Sequence, residues 1–580
     1  MRTWALSLLL LAGCLAQVRR VHDLPSFTHA VGAHEDVAVP ARDGVVLATH
    51  VWLPDGVGPW PVVLSRTPYP LGPLLDGRCR LLARYGYACV WQEVRGQGRS
   101  EGAWVPFVHE RADGLDTLAW IDAQPWSAGR VAMIGASYLA GVQWELAIDP
   151  PPSLVTIVPT VFAPRPYEVA YEHGLFRHEL GTAWMTLIPD RGLHVFSGAR
   201  YRRALRTWPR LEMDRVAAGR ELPWFRDWLR HPDPDDPWWQ DPEVIGVGQA
   251  PARTPLPVLM IGGWSDAFLG GTLSTWRSLA TRDRSALVVG PWNHTGGIPS
   301  DVPLDGVGGG PGSTGWLSQW PRVLDWLDHH LLDQPLRYGT GAAVYVPVRG
   351  GWEVGVDWPP PTHARRWWLA DAHRAPDCQG RLDPHAGQLG EVGWTHDPLD
   401  PVPTVGGAGM LAGVLPFFGG SPQGFRRERG QCARRADLLG FASAPLDAPL
   451  ELAGSVRASL LVRADADDAA VVVRLLQEGV DGHRVLLREG ATTLRHRVPD
   501  APTGSYVPGT LVRVEVETWP LAWQFAAGTR VVLEIGSSSF PKYESHPGTA
   551  QPWAEVTVPR RVQMAVQLGG SHLELPVLDR

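Results

Sequence analysis

The sequence predicts two architectures in one chain: a mostly parallel, doubly covered α/β sheet with a helical insertion, then an all-β sandwich or jelly roll. Three observations carry this. Unbroken apolar runs alternate with helical patterns from residue 61 to residue 346, as strands covered on both faces do. That alternation stops from about Phe162 to Pro251, where Trp, Arg, His and Pro dominate and irregular helices are expected. From about Thr362, short alternating segments lie between Gly, Pro and Asp turns.

The elements follow in order. Residues 35–54 alternate apolar and polar around Asp43-Gly44, which reads as a hairpin. Pro61–Leu64 and Tyr87–Trp91 are strands, and Leu81–Arg84 and Leu115–Ile121 lie in helices. Arg130–Ile134 is a strand, Val142–Ile148 a helix and Leu154–Val158 a strand. After the insertion the sheet resumes with Pro257–Ile261, a helix near Leu273–Leu279 and the strand Ala286–Val289. A helix, Val323–Leu332, and a strand, Ala342–Val346, close the domain. Leu450–Leu452, Ala458–Val462, Ala470–Leu475, Val512–Val516 and Arg530–Ile535 are strands of the β region.

The segment Gly135-Ala136-Ser137-Tyr138-Leu139-Ala140 joins a strand to a helix. A serine on such a turn is the nucleophile elbow of α/β-hydrolases, which lifts its hydroxyl above the sheet. The usual pattern is G-x-S-x-G, and Leu139 stands where the second glycine would be. A serine needs a base. In this fold class the acid and the histidine follow the nucleophile in chain order, in loops after later strands. Gly262-Gly263-Trp264-Ser265-Asp266 and Gly290-Pro291-Trp292-Asn293-His294 meet that condition. His294 is then the general base, and Asp266 orients its imidazole. The competitors are weaker. His173 and His178 fall in the insertion, His329 and His330 in a helix, and Asp283 in a polar turn before a strand.

With these residues in place, the chain resembles the cocaine-esterase and X-Pro dipeptidyl-peptidase family of serine hydrolases. The resemblance rests on Arg95-Gly96-Gln97-Gly98-Arg99-Ser100-Glu101-Gly102, Gln124-Pro125-Trp126-Ser127, Gly135-Ala136-Ser137-Tyr138, Gly263-Trp264-Ser265-Asp266 and Gly290-Pro291-Trp292-Asn293-His294. Asp400–Gly407 and Ser537–Pro541 match in the β region. It implies an α/β-hydrolase core with an inserted helical cap, plus a C-terminal jelly-roll domain. The expected divisions are residues 1–31 as signal peptide and N-terminal segment, 32–161 and 252–361 as core, 162–251 as cap and 362–580 as jelly roll. The family's elbow is G-x-S-Y with a small residue three places after the serine, and Ala140 fills that place. The resemblance also implies an oxyanion hole made by the Tyr138 backbone N–H and the Tyr69 hydroxyl. Arg95, Gly96, Gly98 and Glu101 are expected to fix a turn.

Two features of the family's branches are missing. Members acting on α-amino acid esters place acidic residues two and three positions after the catalytic aspartate, and here those are Phe268 and Leu269. X-Pro dipeptidyl peptidases carry extra sequence before the core, which here begins near residue 36. The expectation is a hydrolase of carboxylic esters, or of amides, with an apolar acyl pocket. Glu168 or Glu172 of the cap could supply a carboxylate from elsewhere. The alternatives are a dipeptidyl peptidase, acylase or amino-ester hydrolase, and, from another class, a non-catalytic cell-surface binding protein.

Composition sets the remaining bounds. The net charge of −7 gives no reason to expect nucleic acid as a partner. Lys542 is the single lysine among 53 basic residues. The 28 tryptophans are read as core and interface packing, or as the lining of an aromatic pocket. Arg2, the apolar run Trp4–Leu11 and Leu11-Ala12-Gly13-Cys14 resemble an export signal with a lipobox, with a plain signal-peptidase cut after Ala16 as the alternative. Membrane association is therefore expected only through a lipid anchor on Cys14. Pairing of Cys79 with Cys89 and of Cys378 with Cys432 respects the domain division, and free buried thiols are the alternative. No Cys or His spacing matches a zinc site, and no cofactor is expected. The expected partner is a small-molecule ester or amide, with association into a homo-oligomer left open.

Overall fold

A computed structural model describes residues 24–578 apart from 190, 195, 196, 242–245, 303, 305–317, 372–376, 411–422, 429, 430 and 500. Residues 1–23, with Cys14 among them, lie outside the described residues. The core sheet opens with β1 (Val31–Pro40) and β2 (Val46–Pro54), an antiparallel hairpin turned at Gly44 with φ 86°. β3 (Trp60–Thr67), β4 (Ala88–Glu93), β5 (Ser127–Ala136) and β6 (Leu154–Thr160) follow. The cap contributes a two-stranded hairpin, β7 (Tyr171–Glu172) and β8 (Leu175–Phe176). β9 (Leu259–Ser265), β10 (Ala286–Asn293), β11 (Gly341–Tyr345) and β12 (Trp352–Gly355) complete the core.

Ten strands form one sheet in the order β1-β2-β4-β3-β5-β6-β9-β10-β11-β12. Strands β4 to β11 in that order run parallel, and the antiparallel pairs β1–β2, β2–β4 and β11–β12 lie toward the two edges. The central strands read as continuous apolar runs because helices cover both faces. Leu75, Cys79 and Leu82 of helix Gly72–Arg84 pack with Trp326 and Leu327 of helix Trp320–Leu332 on one side. Leu118, Trp144 and Trp276, from helices Glu110–Asp122, Tyr138–Leu146 and Leu269–Ser278, pack on the other.

The insertion contains short helices, among them Gly181–Leu187, Gly198–Ala204 and Pro223–Arg230. The β7–β8 hairpin was not expected. It forms because His173 and Gly174 both take positive φ, 43° and 84°, and reverse the chain in two residues. β12 was not expected either; it returns antiparallel to β11. In the C-terminal region the described strands join in one fourteen-stranded network of mostly antiparallel pairs. Cys79 and Cys89 are joined as a disulfide. Cys432 is also disulfide-bonded, and the Cys378 side chain lies outside those described.

Buried charge ties the cap to the β region. Glu544 accepts from His178 Nε2 at 2.5 Å and from Arg210 at 2.8 Å, all three side chains being buried. Burial lowers the His178 pKa, so the imidazole donates as a neutral group. His178 is thereby a satisfied core residue. Glu544→Ala would strand the Arg210 guanidinium in the interior. Loss of about 3–5 kcal/mol of stability is expected, measured as a lowered urea midpoint. A midpoint within error of the parent would show that the junction tolerates an unpaired cation.

Candidate active site

Ser137 sits between β5 and the helix Tyr138–Leu146 with φ 59° and ψ −128°. This is a strained backbone for a residue with a Cβ, and its neighbours hold it there. The Ser137 N–H donates to the Thr160 carbonyl at 3.0 Å. Gln143 donates to the Leu139 carbonyl at 2.8 Å and accepts from the Val158 N–H at 3.0 Å, stitching the helix to β6. Gly135 is required because a Cβ there would lie 2.4 Å from that of Leu139. Leu139 itself is buried in the core, so the second glycine of the usual pattern is not needed for fit.

Asp266 follows β9 and His294 follows β10. His294 Nε2 lies 3.0 Å from Ser137 Oγ, and His294 Nδ1 lies 2.7 Å from Asp266 Oδ2. Asp266 is fully buried, and its other oxygen accepts the Phe268 N–H at 2.8 Å. The turn carrying His294 is fixed by Asn293. Its Oδ1 accepts from the N–H groups of Thr295 and Gly297, and its amide donates to Gln423 at 3.0 Å. Gly409 donates its N–H to the Ser265 carbonyl at 3.3 Å, which brings the C-terminal region against the acid loop. The two β-region motifs lie side by side here: the Thr404 N–H donates to Phe540 and the Phe540 N–H to Val402, both at 2.9 Å. From the cap, Arg177 donates to the Ala267 carbonyl.

Tyr69 is placed by the loop after β3. Its hydroxyl accepts from Trp184 Nε1 at 3.2 Å. Burial raises its pKa, so the phenol keeps its proton and stays a donor. Tyr138 is the first residue of its helix, so its N–H has no intrahelical acceptor. The structure therefore brings Ser137, His294, Asp266, Tyr69 and Tyr138 to one place. Asp283 is exposed in a 3-10 turn, His329 bonds the Gln334 carbonyl, and burial takes His330 down to about 4. Gly96 and Gly98 have φ 71° and 51°, and Arg95 pairs with Asp43 and Asp113, so this segment fixes a turn.

The surroundings are aromatic. Phe268 lies 5.5 Å from the His294 ring and 5.1 Å from Phe162. Trp184 contacts Trp104 and Trp224, which line a cleft of about 530 Å³ between the loop after β4 and the cap. Glu172 is engaged by Tyr543 at 2.9 Å, whereas the Glu168 carboxylate, beside Arg165, lies close to Gly271. Among the described residues, His34, Asp36 and His50 are close enough together to hold a metal. The Arg99 guanidinium already meets that group, 3.0 Å from His50 and 3.3 Å from Asp36.

Beneath the elbow lies a buried acid–base cluster that sequence patterning did not single out. The Tyr138 hydroxyl donates to Glu110 at 2.7 Å, and Glu110 pairs with Arg66 at 2.9 Å. Burial, then the charge of Glu110, pushes Glu145 up to about 8.

A family model for X-Pro dipeptidyl-peptidase (S15 family) matches residues 43–296. A second, for the X-Pro dipeptidyl-peptidase C-terminal non-catalytic domain, matches residues 336–571. The chain belongs to the cocaine-esterase and X-Pro dipeptidyl-peptidase family of serine hydrolases. Cocaine esterase from Rhodococcus sp. is 29% identical across 94% of this chain and 98% of that protein. Two solved structures share the fold at TM-score 0.78. One is an aminopeptidase from a marine sediment Thaumarchaeota archaeon, 24% identical over 94% of this chain and 96% of its own. The other is an α-amino acid ester hydrolase, 22% identical over 95% of this chain and 97% of its own.

The buried Glu145 gives a pH prediction. Folding raises its pKa from 4.5 to about 8, so the folded state holds a proton that the unfolded chain has released. Stability then falls as pH rises from about 4.5 to about 8 and stays low above that. Glu145→Gln should remove this fall and stabilise the protein at pH 9 by roughly 3–5 kcal/mol relative to the parent. Urea unfolding at pH 6 and pH 9 measures it; an unchanged pH dependence would refute a neutral Glu145.

Proposed function

We propose that Ser137, His294 and Asp266 perform the serine hydrolase reaction on carboxylic esters through an acyl-enzyme. The observation that carries the assignment is the continuous chain from Ser137 Oγ through His294 to the buried Asp266, at 3.0 and 2.7 Å. Ser137 Oγ attacks the ester carbonyl as His294 Nε2 takes its proton. The oxyanion that forms accepts from the Tyr69 hydroxyl and the Tyr138 N–H. Collapse expels the alcohol, which takes the proton back from His294. Water then repeats the sequence on the acyl-enzyme and releases the acid. Asp266 accepts from His294 Nδ1 throughout and stabilises the imidazolium.

The acyl group lies against Phe268, next to His294, in this reading. Amides are the second substrate class, supported by the peptidase models that match the chain. We also propose that the enzyme is exported. The order of charged, apolar and small residues from Arg2 to Cys14 supports this, and the Cys79–Cys89 bond is of a kind found mainly outside the cytoplasm.

Ser137→Ala should abolish ester turnover and labelling by a fluorophosphonate without changing the fold. Tyr69→Phe should keep the label but lower kcat by about 10²–10³ with KM little changed. Labelling of Ser137→Ala would place the nucleophile elsewhere.

The acyl pocket should prefer neutral groups. An ammonium entering it loses hydration, which is costly unless a carboxylate meets it. Phe268 and Leu269 offer none. For phenylacetyl and phenylglycyl esters of one alcohol, at a pH where the amine is charged, kcat/KM should favour phenylacetyl. Preference for phenylglycyl would assign the chain to the amino-ester branch, with Glu168 as the carboxylate to test next.

A further inference from the structure

The two groups that face the oxyanion come from different elements. Tyr69 stands two residues beyond the end of β3, and Tyr138 opens the elbow helix. A hole works only if its donors are held at the right separation before charge develops. The hydrogen bonds that hold the Tyr138 side chain are complete. Its hydroxyl donates to Glu110 Oε1 at 2.7 Å, accepts the Phe107 N–H at 3.0 Å and accepts Trp104 Nε1–H at 3.4 Å. A phenol has one proton to give and two lone pairs to fill, so no capacity is left over. The Phe107 ring stacks on that of Tyr138 at 4.3 Å, and Phe107 takes a φ of 66° to do so. A side chain pinned on so many sides fixes the direction of its own backbone N–H.

Glu110 also reaches the other donor's strand. Its second oxygen pairs with Arg66 Nη1 at 2.9 Å, and the same nitrogen donates to the Glu110 carbonyl at 2.7 Å. Arg66 is fully buried on β3, three residues before Tyr69, and its Nε donates to Gln92 of β4 at 2.8 Å. Glu110 therefore hydrogen-bonds the side chain of one hole donor through its carboxylate, and meets the strand that delivers the other through an ion pair and its main-chain carbonyl. Glu110 is the first residue of helix Glu110–Asp122, and burial raises its pKa against the opposing pull of Arg66 and the Tyr138 hydroxyl.

We propose that Glu110 is a positioning residue that sets the separation of the two oxyanion donors, acting on Tyr138 through its hydroxyl and on Tyr69 through Arg66. This rests on the Tyr69–Tyr138 hole assigned above. Glu110 touches no reacting atom. The Tyr138 side chain then serves catalysis without meeting substrate, which explains why a buried tyrosine, and not a phenylalanine, follows the nucleophile.

The test compares Tyr138→Phe, Glu110→Gln, the double variant and Tyr69→Phe in the full chain. Tyr138→Phe keeps the ring and the N–H and removes only the hydroxyl. Its kcat should fall about ten- to a hundredfold, the scale expected for a slightly misplaced catalytic group, with KM within twofold. Affinity for an aryl trifluoromethyl ketone, which forms a tetrahedral adduct on the serine, should fall by the same factor. Affinity for the product acid should not change. Glu110→Gln should fall at least as far, and the double variant should be no worse than Glu110→Gln alone, because the Tyr138 hydroxyl acts through Glu110. Unchanged kcat and ketone affinity in Tyr138→Phe would overturn the proposal. So would equal loss of ketone and product-acid affinity, which would mark general damage to the site. If Glu110→Gln does not fold, Tyr138→Phe decides alone. A Tyr69→Phe variant with parental kcat and ketone affinity would instead remove the hole itself, so the two failures are distinct.

Discussion

The structure depends on one strained residue. A serine at φ 59° and ψ −128° costs of order 1–3 kcal/mol, and it persists only where its surroundings over-determine it. The surroundings here do so from three directions. β6 accepts its N–H, Gln143 locks the following helix to the same strand, and Gly135 lets that helix pass within contact of β5. The strain puts Oγ at the head of the sheet, where loops from β3, β9 and β10 converge. A relaxed turn would lower the hydroxyl into the helix–sheet interface and out of reach of His294.

The other groups of the site are set on independent elements and reinforced from outside the core. Asp266 follows a strand that resumes only after the cap, so the cap can vary without moving the sheet register. The C-terminal region then closes on the acid loop through Gly409, and Gln423 holds the Asn293 that shapes the histidine turn. The cap is fixed in turn to the β region by Glu544, His178 and Arg210, and reaches Asp266's neighbour Ala267 through Arg177. Surfaces of the core, the cap and the β region thus meet behind one carboxylate. That gives the C-terminal region a part in keeping the site rigid, although it supplies none of the groups assigned to the chemistry.

Much of this was legible in the sequence because strand ends are. Apolar runs followed at once by Gly-Trp-Ser-Asp or Gly-Pro-Trp-Asn-His mark both an element and the rim where it ends. The glycines there are readable in physical terms too: a Cβ on Gly263 or Gly290 would collide with Trp292. What escaped were residues whose role is set by partners distant in sequence. Glu110 begins an ordinary-looking helix and means nothing until Tyr138 and Arg66 arrive beside it. Trp184 was one of 28 tryptophans, and only the fold shows that its indole reaches Tyr69. The β7–β8 hairpin was missed because its strands are two residues long, too short to show any periodicity.

The charge balance under the hole is the last constraint that the chemistry imposes. Glu110, Asp113 and Glu145 all lie buried near the elbow helix. Three bare carboxylates there would oppose the oxyanion forming above them, at the very site where low dielectric makes charge most effective. Each is met differently. Glu110 has Arg66, Asp113 has Arg95, and Glu145, which has no such close pair among the described residues, is pushed by burial to about 8 and holds its proton at neutral pH. The region below the hole is therefore close to neutral despite its acidic composition. Above pH 8 Glu145 ionises, and the opposing charge appears beneath the oxyanion while the Tyr69 phenol, its pKa raised by burial, still holds its proton. Loss of kcat on the alkaline side would then arise from the buried acid before it arises from the hole donor. Replacing Glu145 by glutamine separates the two, because only the first depends on that side chain.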